Sequence, residues 1–261
     1  MRAVVLACAV SLATPLFAQQ AEPREPGSPR AAAPIDLTGY WVSVVSEDWL
    51  SRMMMPPRGD YAGVPLNLEG RRAANQWDPA TRATDGCRPF GAPAVMRVPG
   101  RLHITWQDDA TLRIETDAGQ QTRYLRFHTA DVARASAQRP AAPSWQGASV
   151  ASWEQFTQRG GAGSGGVALA PPPPRTGSLR VVTTNLRPGF LRKNGVPYSE
   201  QTVLTEHFDR LTEEGTDWLV VQTVVDDPKY LTQEFVTSTH FMREPDGSKW
   251  SPSPCESARA R

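Results

Sequence analysis

Apolar and polar residues alternate with a period of two in short runs, broken repeatedly by Gly, Pro, Asp and Asn. The clearest run is Leu102–Gln107. Leu102, Ile104 and Trp106 take one face there, and His103 and Thr105 the other. Successive side chains of a strand point to opposite faces, so this run reads as a half-buried strand. By the same criterion strands are expected from Gly39 onward and at Ala94–Val98, Thr111–Thr116, Thr122–His128, Thr202–Arg210, Asp217–Asp226 and Leu231–Phe241. A hairpin is expected between Trp145–Glu154 and Ser178–Asn185. Pro99-Gly100, Asp108-Asp109, Ala118-Gly119 and the segment from Thr212 to Gly215 supply turns. Trp218–Val225 is apolar on both faces, as a central covered strand requires. Only Asn67–Trp77 reads as a helix, with Asn67 as its cap and Asp78-Pro79 stopping it. The pattern predicts an all-β fold: a single antiparallel barrel of about 9–10 strands over residues 36–255, with one short helix near 67–77.

Three stretches fall outside this pattern. Met1–Ala18 has one positive residue, Arg2, then an apolar run to Phe17 and a small Ala18, the layout of a cleaved export signal. The run is shorter than the roughly 20 residues that span a bilayer. Residues 19–35, rich in Ala, Pro and Arg, read as a disordered leader, and 256–261 as a disordered tail. Residues 157–176, with their Gly and Pro clusters, read as a flexible loop projecting from the hairpin.

Composition narrows the partners. Without the leader signal the chain holds 27 basic and 27 acidic residues, which disfavours nucleic acid or an anionic membrane surface. Cys8 leaves with the signal, so Cys87 and Cys255 remain. In a periplasmic or secreted protein an isolated pair most simply forms one disulfide. It closes a loop of about 170 residues, for which loop entropy gives roughly 4–5 kcal/mol less any strain.

The Gly39-Tyr40-Trp41 segment resembles the first strand of lipocalin-type barrels, where such a Trp plugs the closed end; a plain core tryptophan is the alternative. Several longer blocks stand beside it. They are Pro65, Leu66, Glu69, Gly70 and Arg71; Trp77-Asp78-Pro79; and Cys87 with Gly91 and Pro93. Further on come Trp145, Gly147, Ser149, Trp153 and Glu154; Leu179, Val181 and Thr183-Thr184-Asn185; and Glu206, Phe208 and Arg210 ahead of Asp227-Pro228. Together they resemble a widespread, largely uncharacterised family of exported, lipocalin-like β-barrel proteins of environmental bacteria. The resemblance implies the barrel and a cysteine near each end, and it brings no activity with it. The loop at 157–176 departs from that family's tight hairpin.

All four histidines, His103, His128, His207 and His240, lie in expected strands. Imidazoles on a curled sheet can converge on one cavity and serve as acids or bases near neutral pH. Glu206 shares a face with Leu204 and Phe208, and a buried unpaired carboxylate is strongly disfavoured. Arg210 on the same strand or Arg126 on another is the expected neutraliser. The result is either a register-fixing ion pair or a cavity general base. Tyr124, Arg126 and His128 share a face that could hold an oxyanion or could equally face solvent. His103, His207 and His240 lack the short spacings of a metal site, so neither metal nor cofactor is expected. Met53–Met55 offer an adaptable apolar patch for a ligand or fill the core. The basic loop Leu186–Tyr198 could be a lid or a plain crossover.

Three functions compete at this stage. One is an exported barrel binding a small, largely apolar molecule, with Trp41, His103, Tyr124, Arg126 and Arg210 as ligand contacts. Another is a cofactor-independent isomerase, lyase or cyclase using Glu206, His207 and His128. The last is a structural envelope protein with a filled core.

Overall fold

In a computed structural model, residues 27–78, 80, 86–127, 142–156 and 176–255 are described. The export signal, His128, the 157–175 loop and the 256–261 tail lie outside them.

Nine strands form a closed barrel: β1 (Gly39–Val44), β2 (Arg101–Asp108), β3 (Thr111–Thr116), β5 (Thr122–Phe127), β6 (Ala148–Phe156), β7 (Thr176–Thr184), β10 (Val203–Glu213), β11 (Thr216–Asp226) and β12 (Phe235–Glu244). Their order is β1-β12-β11-β10-β7-β6-β5-β3-β2, and β1 closes it by pairing with both β12 and β2. Within the barrel every pairing is antiparallel but one. The β5–β6 pair runs parallel, with Leu125 opposite Ser149, so the expected all-antiparallel barrel is corrected to a mixed one. The cause is the long 128–147 connection. A parallel neighbour needs a crossover of a dozen or more residues, and no tight hairpin joins these two strands.

Alternation sets what the barrel encloses. Leu102, Ile104, Leu112, Ile114, Leu125, Phe127, Leu179, Val181, Phe208, Leu219, Val221 and Phe241 are buried together with Trp41 and Met96. A second cluster gathers Leu204, Val225 and Phe235 with Tyr61, Leu66, Leu191, Val196, Tyr198 and Leu231 from the connecting segments. Those segments therefore cap one end of the barrel. Among them are helix α2 (Leu68–Gln76) and the two-residue strands β8 (Gly189–Phe190) and β9 (Pro197–Tyr198). Asn67 caps α2 by accepting from the Gly70 N–H at 2.8 Å, as its sequence position implies.

Two shorter helices accompany α2: α1 (Trp49–Met53) and α3 (Ala92–Val95). The latter replaces the strand expected at Ala94–Val98. Pro93 sits in its first turn, where a missing N–H costs nothing, and all four residues are buried, which erases any one-sided periodicity.

Cys87 and Cys255 form the expected disulfide, with Cα atoms 5.0 Å apart across 168 residues. The C-terminal segment it holds adds strand β13 (Ser253–Pro254), which pairs in parallel with β4 (Ala118–Gly119). Gly119 has φ +83°, and a Cβ there would meet the Phe90 ring at 2.2 Å, so only glycine fits this junction. Contact with the barrel begins before Asp36: the Trp153 indole N–H donates to the Pro29 carbonyl at 2.8 Å, and Ile35 packs on the core.

Candidate functional site

Inward positions of β10 run Leu204, Glu206, Phe208, and all three are fully buried. The Glu206 carboxylate is met by Arg123 of β5, with Nη1–Oε1 at 2.9 Å and Nη2–Oε2 at 2.5 Å. This fork-on-fork geometry is the strongest form of the pair. Thr183 accepts from Arg123 at 3.4 Å and bonds the Ser149 hydroxyl at 2.8 Å, so a thin polar layer spans β5, β6, β7 and β10. Thr223, opposite Glu206 on β11, and Arg123 Nε are buried with no hydrogen-bond partner among the described residues.

The expected neutralisers of Glu206 are therefore corrected. Arg126 is exposed and lies 5.6 Å from the ring centre of Tyr124, itself 40% exposed; both point away from the inward row Arg123, Leu125, Phe127. Arg210 turns instead to Asp217 at 2.7 Å and the Asp36 carbonyl at 2.9 Å. Trp41 is wholly buried in the core and donates to the Leu37 carbonyl at 3.0 Å, which is a packing role.

Nor do the described histidines meet. His103 stacks on Tyr40 with ring centres 4.1 Å apart and faces Glu115 at 3.3 Å. His207, one residue out of phase with Glu206, faces Glu154 at 3.2 Å. His240 faces Glu47 at 3.0 Å. Each is partly exposed and has its own carboxylate. His128 lies outside the described residues. Among the described residues no three His, Cys, Asp or Glu side chains gather as a metal site, and no helix is long and apolar enough to cross a membrane.

A different constellation forms around α1. Asp48, in the left-handed region at φ 51°, starts this single turn. Non-glycine residues adopt that conformation at a cost, and it recurs at functional sites. The turn sends Arg52 inward and leaves Trp49, Leu50, Met53, Met54 and Met55 in water, from 42% to 62% exposed. Behind it lies a small, half-open cleft of about 30 Å³. Ser51, Arg52, Arg97, Leu191, Arg192 and Lys193 contribute to its walls, with Pro89, Ala94 and Val98 completing them.

Three of these walls are buried guanidinium groups. Arg52, Arg97 and Arg192 side chains are 1%, 7% and 4% exposed. Arg52 pairs with Glu47 and donates from Nε to the Arg97 carbonyl at 2.9 Å. Asp48 takes both Arg97 and Arg192, the latter at 3.4 Å, and Arg192 also reaches the Ala62 carbonyl at 2.7 Å. Arg52 Nη2 and Arg192 Nε remain buried without a hydrogen-bond partner among the described residues. Burial pulls both guanidinium groups below the usual arginine range, against the attraction of Glu47 and Asp48. For the two carboxylates burial acts upward, but hydrogen bonds from His240 and Arg97 and the arginine charges carry them below their ordinary values.

Of the sequence candidates, this place absorbs the Met53–Met55 run, now exposed and not core, and the basic loop at 186–198 through Leu191, Arg192 and Lys193. Arg52 and Arg97 carry no sequence signal of their own. Comparison with protein-family models, curated proteins and solved structures yields no match to the chain.

Proposed function

We propose that this chain is an exported, lipocalin-like barrel protein that binds a small, largely apolar molecule at the capped end of the barrel. The export reading rests on the signal-like layout of residues 1–18 and on the single disulfide. One observation carries the binding reading: five large apolar side chains, Trp49, Leu50, Met53, Met54 and Met55, stand exposed together beside a cleft. Contiguous exposed apolar surface on a folded protein marks an interaction site. Methionines add side chains that re-pack around ligands of different shape.

Catalysis by Glu206 has less support, because its carboxylate is bound by Arg123 inside a packed layer. A structural envelope role is the second reading, and the filled barrel centre favours it. Fluorescence titration with the neutral apolar probe N-phenyl-1-naphthylamine separates the two. The binding reading expects saturable enhancement that the Leu50→Glu/Met53→Glu variant loses while keeping its melting temperature. No enhancement in the wild-type chain would leave the structural reading.

A further inference from the structure

Resting on that binding reading, we propose that Met53, Met54 and Met55 form a site of oxidative modification, at which peroxide converts the thioethers to sulfoxides and so turns off the apolar face of α1. Sulfur and peroxide are the only reactants. A thioether lone pair attacks the peroxide O–O bond, one oxygen stays on sulfur, and the other leaves as water after a proton shift. Sulfur gives up two electrons and the peroxide takes them.

Exposure selects the sulfurs. Met53 and Met54 are 62% and 61% exposed and Met55 42%. They are consecutive where α1 ends: Met53 is its last helical residue, and Met54 is already extended. Met96, in contrast, is 2% exposed within the barrel core. Met242 is 38% exposed on β12, flanked by Val42 of β1 and Trp218 of β11. An oxidant in solution therefore meets the α1 run first, and the core sulfur is shielded. Export, as proposed above, carries the chain into an oxidising compartment, where a peroxide reaches it.

The same geometry separates modification from unfolding. The turn is held from its inner side, by Arg52 on Glu47 and by Asp48 on Arg97, and no sulfur takes part in these contacts. A sulfoxide replaces a flexible apolar side chain with a polar one. Formed on side chains already in water, it costs the fold little. The surface offered to a ligand changes instead: three of the five exposed apolar side chains of the patch become polar, and they are the ones able to re-pack around it.

The test treats the full-length chain with dilute hydrogen peroxide and follows peptide masses, N-phenyl-1-naphthylamine titration and the melting temperature. Sulfoxide is expected at Met53 and Met54 first, ahead of Met242, with Met96 unmodified. Probe affinity is expected to fall about tenfold or more, the worth of one methionine side chain's apolar contact, at an unchanged melting temperature. Met53→Leu/Met54→Leu/Met55→Leu stays apolar without sulfur, and is expected to bind the probe equally before and after peroxide. Should that variant not fold, the order of oxidation and the affinity of the oxidised wild-type chain decide. Oxidation that begins at Met242 or Met96 overturns the site. So does unchanged affinity in a chain oxidised at all three positions, or a loss that persists in the leucine variant; in these cases the binding reading stands. Absence of probe binding before any oxidant removes the binding reading and the switch built on it, and sulfoxide confined to Met53–Met55 then supports the modification alone.

Discussion

Glu206 and Arg123 face each other across the barrel interior in a two-pronged ion pair, 0% and 1% exposed at the side chain, from strands separated by β6 and β7. Two charges removed from water are held by mutual attraction, and removal of one strands the other. Glu206→Gln is therefore expected to cost about 3–5 kcal/mol in urea unfolding. The paired replacement Arg123→Met/Glu206→Leu is expected to recover most of it. A loss below about 1 kcal/mol for Glu206→Gln would show that the pair does not carry this weight.

Asp227 anchors the capped end, and among the described residues no cation pairs with it. Its carboxylate is 1% exposed and accepts from the Ser199 and Thr202 hydroxyls, both at 2.9 Å, and from the N–H groups of Ser199, Lys229 and Tyr230. Asp227→Ala leaves these donors unmet, with an expected cost of more than about 2 kcal/mol. Chemical denaturation checks the value, and amide exchange at 199–202 and 228–231 should quicken in step.

Reduction of Cys87–Cys255 should lower the melting temperature with the native fold retained. The 168-residue separation sets an upper expectation of about 4–5 kcal/mol. Because it fastens the C-terminal segment to Cys87, outside the barrel strands, protease sensitivity should rise first near residue 250. Thermal unfolding with and without reductant, and of Cys255→Ser, measures this; an unchanged midpoint would contradict it.

Acid sensitivity follows from Glu47 and Asp48, whose carboxyl groups lie below ordinary values of 4.5 and 3.8 in the fold. The folded state then binds fewer protons than the unfolded chain. Their contribution is complete above those ordinary values and is lost as pH falls through the lowered folded values. The melting temperature should drop on going from pH 5 toward pH 3, a range set by these two groups. Asp48→Asn should flatten that drop, at the expense of stability at neutral pH.

The barrel was legible because alternation is a local signal. Leu102, Ile104 and Trp106 declare an inward face without reference to any other strand, and strands such as Thr111–Thr116 and Thr122–Phe127 follow the same rule, whereas Trp218–Val225 was read from its continuous apolar run. The helical turn at Ala92–Val95 escaped because burial on every side removes periodicity. Glu206 was identifiable as buried from its neighbours Leu204 and Phe208, but its partner was not, since β5 and β10 are not adjacent. Parity held the missing hint. Arg123 is in phase with Leu125 and Phe127, whereas Arg126 is in phase with Tyr124 on the outside. The cleft was least legible: Arg52, Arg97 and Arg192 come from three distant segments, and their meeting is a product of chain closure.

Amide hydrogen exchange of the intact chain, with and without saturating N-phenyl-1-naphthylamine, locates the ligand most directly. Slower exchange confined to residues 47–55, 97–98 and 191–193, with β10 and β11 unchanged, is the predicted result. Protection centred on residues 203–226, or none anywhere, would contradict it.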